Sequence, residues 1–156
     1  MKDRTKVFCV FSWLAVLVLM ALIFYLSAEP AEQSNELSTG ITRTILNALQ
    51  GQIPFMADMS LETFNHIIRK TTHFMAYMLL GMLVLNALGI KGWKKTLLAF
   101  AISAAYAASD ETHQLFVPGR GGQLKDVILD SSGSAFGIGV MTFFYRIRRK
   151  TFGRKG

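Results

Sequence analysis

One cysteine, Cys9, occurs in the 156 residues, so no intramolecular disulfide can form. Its place inside an apolar run predicts a small packing residue. The chain has no HExxH or similar tight metal-ligand spacing, no serine-hydrolase elbow, no phosphate-binding P-loop and no dinucleotide glycine pattern. GRGGQLKD holds glycines, but it lies in a turn without the strand–turn–helix context that a nucleotide site needs. Those glycines let the turn fold back over its neighbours. No internal repeat occurs, and no room is left for a separate soluble domain or a cytoplasmic catalytic module. Charge is scarce within four stretches, and that scarcity defines the chain.

The first stretch, Val7 to Ala28, is long enough to cross a bilayer as one helix. It is too long for a cleaved signal peptide, and Leu26 spoils the small-residue pattern before Ala28. The second, Thr71 to Ile90, is interrupted only by His73. The third centres on Thr96 to Ser109, and the fourth runs from near Val127 to Tyr145 and contains Asp130. Backbone groups in hydrocarbon must be paired internally, so helices are expected. The expected fold class is an all-α integral membrane protein: one compact bundle of four transmembrane helices, residues 7–28, 60–90, 93–113 and 126–145, forming a single domain over 1–156. The 29–59 loop is expected outside, with an amphipathic segment carrying Ile41, Ile45, Ala48 and Leu49 that ends near Pro54. Asp58 or Ser60 then caps the next helix, with Glu62 in its first turn.

The formal charge is +7. Twelve positives fall before the first stretch, between the second and third, and in the 146–156 tail, opposed only by Asp3. The remaining five Lys and Arg share the other side with nine acids. The positive-inside rule therefore puts both termini of this multi-pass protein in the cytoplasm, and the tail with them. With positives flanking apolar spans and no recognition module, nucleic acid is not an expected partner. Small residues in 99–109 and in SSGSAFGIG, 131–139, predict close packing between the third and fourth membrane helices.

Three polar groups converge on the outer side in this topology. His66, Arg69, His73 and Tyr77 share one face of the second helix at spacings of three and four. Tyr106, Asp110 and His113 form a second stripe, with Glu111 and Gln114 beside it, and Asp126 and Asp130 lie one turn apart on the fourth helix. Packing alone offers a plain account: Glu111 pairs with Lys70, and Asp126 with Arg120, tying helices together. Yet ionisable residues at membrane depth are costly and usually mark a site.

Two chemical uses fit. In one, Arg69 and Arg120, aided by Lys70 or Lys125, hold a phosphate or pyrophosphate head group through paired hydrogen bonds. Asp110 and Asp126 orient the arginines, and apolar helix surfaces take the lipid tails. In the other, His113 is a general base or nucleophile oriented by Asp110 or Glu111. Neither use demands a metal or other cofactor, and none is assigned.

At these residues the chain resembles the VanZ-like membrane protein family. The matching portions are Arg69-Lys70-x-x-His73-Phe74-x-x-Tyr77, SDETHQLFVPGR from Ser109 to Arg120, and Asp126-Val127-x-x-Asp130-Ser131-x-Gly133-x-x-x-Gly137. The resemblance covers roughly Leu61 to Tyr145, with a compatible first helix before it. It places Arg69, His73, Asp110, Glu111, His113, Gln114, Arg120, Asp126 and Asp130 on motif positions without naming a reaction. The family is known for a member associated with teicoplanin resistance, which implies a role at the cell envelope. The expected partner is thus an anionic envelope lipid or lipid-linked glycan, recognised at the outer face. An intramembrane transferase or hydrolase using His113 with Asp110 is the alternative. A scaffold contacting an envelope protein or a second copy of the chain is a third.

Overall fold

Apolar runs bounded by turn formers set the element order. The computed structural model describes residues 2–29, 31–50 and 59–152, and the ordered elements among them are all helices. These are α1 (Lys2–Ala28), α2 (Ala31–Gln50), α3 (Leu61–Leu88), α4 (Trp93–Gln114) and α5 (Leu124–Phe152). Ser60 caps α3, its hydroxyl accepting from the Thr63 backbone N–H at 3.2 Å, with Glu62 in the positive first turn. Between α3 and α4 the chain reverses through Gly89 and Gly92 at φ 86° and 101°, angles that side chains rarely tolerate. Pro54 and Asp58 lie outside the described residues. The basic tail is no separate segment as far as it is described, because α5 continues to Phe152.

Among the described residues three helices are long and apolar enough to cross a membrane: Val7–Ala28, Leu61–Leu88 and Leu124–Thr151. On α1, Phe8, Phe11, Leu17, Val18 and Tyr25 are 60–67% exposed, a surface that water disfavours and lipid accepts. Ser12, Val16, Ile23 and Ser27 form its buried stripe. Cys9 is exposed on the apolar face of α1 and does not pack inside, since only one stripe of that helix meets the bundle. The fourth expected span is less apolar. In α4 alanine and serine replace larger side chains and the C-terminal turns are polar, so three spans stand on length and composition where four were expected.

The closest helix pairing is α3 with α5, and α4 also packs on α5, as its small residues suggested, though less extensively than α3 does. The reason is backbone approach. A Cβ at Gly133 would lie 2.4 Å from the Phe74 carbonyl oxygen, and one at Gly137 would lie 2.2 Å from that of Met78. The Ser134 hydroxyl, between them, donates to the Tyr77 carbonyl at 3.0 Å. On α4 the small residues Ala99, Ser103 and Ala107 are buried instead in the bundle centre, beside Tyr77, Leu80 and Val84 of α3. The Tyr106 hydroxyl donates to the Met20 carbonyl at 2.5 Å, and the Asn86 amide donates to the Ser12 hydroxyl at 3.2 Å, tying α1 to its neighbours.

The amphipathic segment is a full helix, α2, of 20 residues. Its buried face carries Thr42 and Leu46, while Ile45 and Ala48 are exposed. The buried stripe is offset from the expected one because Thr42 finds a polar partner on α3, the Asn65 side chain at 3.4 Å.

Candidate functional site

The C-terminal ends of α1 and α4 meet the N-terminal halves of α3 and α5 at one end of the bundle. The 115–123 turn closes over them. Backbone hydrogen bonds from Phe116, Val117 and Arg120 to residues three earlier wind it tightly, and Gly119 takes φ 73°. Gly122 then presses on α4, where a Cβ would stand 2.2 Å from the Glu111 carbonyl oxygen. This contact lets the Gln123 N–H donate to Glu111 Oε2 at 2.9 Å. The glycines thus fold the turn back over the polar layer, as their backbone freedom predicted.

A partly open cavity of about 200 Å³ lies beneath this turn. Seven of the nine candidate residues line it: Arg69, His73, Glu111, Gln114, Arg120, Asp126 and Asp130. Asp110 lies deeper. Its Oδ2 accepts from the Ser27 hydroxyl at 2.9 Å and from the Gln114 amide at 3.4 Å. His73 Nδ1 faces Asp130 Oδ2 at 3.5 Å. Asp110 and Asp130 are 2% and 0% exposed.

His113 does not join this group. Its ring stacks on Phe24 of α1 with centroids 4.4 Å apart, and it makes no hydrogen bond to Asp110 or Glu111. The expected His113 dyad is therefore not formed; Asp110 is held by Ser27 and Gln114, and Glu111 by the turn. Two expected ion pairs are exchanged as well. Lys70 pairs with Asp126, leaving Glu111 to the Gln123 backbone. Arg120 reaches across to α1, where Nη2 donates to the Leu26 carbonyl at 3.2 Å. Among the described residues neither Asp110 nor Asp126 makes an ion pair with an arginine.

Among the described residues neither Arg69 nor Arg120 lies within ion-pair distance of a carboxylate, though both line the cavity. Arg120 Nε is buried without a hydrogen-bond partner among those residues. Its pKa is drawn below the usual guanidinium value by burial and by the Arg69 charge, against the pull of Asp110, Glu29 and Glu111. A second, more apolar cleft of about 220 Å³ between α1 and α3 shares Arg69, His73 and Arg120 with the cavity and adds Ile23, Leu26 and Ile68. The site thus combines two cations with spare hydrogen-bond donors and an adjoining apolar cleft.

Ser27 is the residue that sequence reasoning missed. It lies a turn beyond Ile23 on the buried stripe of α1, and as the one serine near the end of that run it carried a signal.

Fold and cavity together define a helical membrane protein with a charged, partly buried site at one end of its bundle. The apolar belt, the backbone-close α3–α5 pair and the three polar blocks belong to one unit. The chain belongs to the VanZ/LLP1 family, whose sequence profile matches residues 11–145, a span that includes every residue lining the cavity. No curated protein and no solved structure matches it significantly.

Proposed function

We propose that the protein is a cell-envelope membrane protein that holds an anionic lipid or lipid-linked glycan at the outer membrane face, and thereby alters susceptibility to glycopeptide antibiotics. In this reading α1, α3, α4 and α5 all cross the bilayer. At 22 residues, α4 has length enough, about 33 Å, and its exposed face carries Leu97, Leu98 and Phe100, side chains that lipid accepts. The basic ends are cytoplasmic, the cavity faces outward, and α2 lies at the outer surface with Ile45 and Ala48 towards the lipid.

The observation that carries the reading is the pair Arg69 and Arg120, two cations lining one cavity without carboxylate partners among the described residues. Like charges held together cost free energy that a phosphate or pyrophosphate group would offset. The head group would take the cavity and an acyl or prenyl chain the α1–α3 cleft. Lys70 contributes less, because Asp126 neutralises it.

Native mass spectrometry of protein gently extracted from its own membrane tests this reading. Wild type should retain a defined anionic lipid or glycan-lipid, and Arg120→Ala should lose it while still inserting and folding. Equal retention by folded Arg120→Ala would reject the role of Arg120.

A further inference from the structure

Below the basic cavity, one donor atom each from His73, Asp110 and Asp130 lie within 4.8 Å of one another. The three residues come from three helices, α3, α4 and α5. Both carboxylates are almost wholly buried, and neither has an ion-paired lysine or arginine among the described residues. Each also keeps one oxygen in reserve: Asp110 Oδ1 and Asp130 Oδ1 are buried without a hydrogen-bond partner. An uncompensated buried charge of this kind is expensive, so the group needs a cation or protons.

The hydrogen bonds around Asp110 distinguish the two. Ser27 and Gln114 both donate to Oδ2, fixing the carboxylate and leaving Oδ1 free. Metal-binding carboxylates are commonly held in this way by partners behind the ligands. Bonds of about 2.1 Å to one ion put its ligands roughly 3–4 Å apart, so a small contraction of the cluster would suffice. The Tyr77 hydroxyl, also buried, lies beside Asp110.

We propose that His73, Asp110 and Asp130 form a divalent-cation site of the Zn²⁺ or Mn²⁺ class. One imidazole and two carboxylates suit these ions. Calcium takes six to eight oxygens, and copper(I) or iron–sulfur centres favour thiolates. Two carboxylates and a neutral imidazole balance a doubly charged ion, removing the net charge from the bundle interior. His73 and Asp130 also line the cavity, so an ion held by the three side chains would lie at its floor. The site stands apart from the lipid reading, since its donors and their burial are features of the protein alone.

The test uses the full chain in detergent, stripped with EDTA, dialysed, then incubated with Zn²⁺ or Mn²⁺ alone. Elemental analysis should find about one ion per chain in wild type and in Glu62→Gln. Asp110→Asn and Asp130→Asn, each checked for folding by circular dichroism and gel filtration, should bind at least tenfold more weakly. Electron spin-echo spectroscopy of Mn²⁺-loaded wild type needs no variant, and should show coupling to an imidazole nitrogen that His73→Gln removes. Folded wild type with less than a tenth of an ion per chain would overturn the proposal. So would stoichiometric binding unaffected by both aspartate changes, or bound Mn²⁺ without the imidazole signal.

Discussion

Arg120 and His113 are seven residues apart, across the end of α4 and into the turn that follows it, yet they meet different fates. Arg120 bends back onto α1, lines the cavity and keeps an Nε without a partner among the described residues, whereas His113 stacks on Phe24. His113→Gln should therefore leave anionic-lipid retention within about twofold and cost roughly 0.5–1.5 kcal/mol of stability from the lost stacking. A tenfold loss of retention in the folded variant would return His113 to the site. Tyr106→Phe removes the hydroxyl that reaches the Met20 carbonyl. It should lower unfolding free energy in detergent by about 0.5–1.5 kcal/mol, as a single hydrogen bond does within a bundle. A chemical denaturation series on the two proteins measures the difference.

The α3–α5 crossing depends on absent side chains more than on large ones. Gly137→Ala would place a methyl 2.2 Å from the Met78 carbonyl oxygen and force the helices apart, whereas Gly139→Ala meets nothing within 4 Å. The first should destabilise the bundle by about 1–3 kcal/mol, and the second should stay within about 0.5 kcal/mol of wild type. Thermal unfolding of the matched pair decides, and equal midpoints would contradict the close crossing. Sequence made this crossing half visible. Gly133-x-x-x-Gly137 announced a close contact, but the pattern does not name its partner, and the partner is α3. The Ser60 cap, one of two candidates with Asp58, was legible because local chemistry alone sets it. The ion pairs were not, because the partner of Lys70 is decided by how α3 and α5 are rotated. The same limit hid the three-helix metal cluster: its donors are 37 and 20 residues apart along the chain, beyond the reach of any short ligand motif.

For the whole molecule, asymmetry of charge and of polarity run together. The two ends of the bundle differ: the turn at 91–95 and the C-terminal part of α5 carry unopposed Lys and Arg, while the other end mixes acids with arginines. Single cysteines placed at 92 and 121, in a Cys9→Ser background, should be labelled by an impermeant maleimide from opposite sides of intact cells. Position 121 should react from outside and position 92 only after lysis. Labelling of both from one side would contradict a membrane-spanning α4. The central claim is that Arg69 and Arg120 together hold an anionic head group on a hydrocarbon tail. Its most direct measurement is titration of a polyprenyl pyrophosphate into the protein held in nanodiscs of neutral lipid. Arg69→Ala/Arg120→Ala should bind at least tenfold more weakly than wild type, a loss of about 1.4 kcal/mol or more. Equal affinity in the folded double variant would contradict the account.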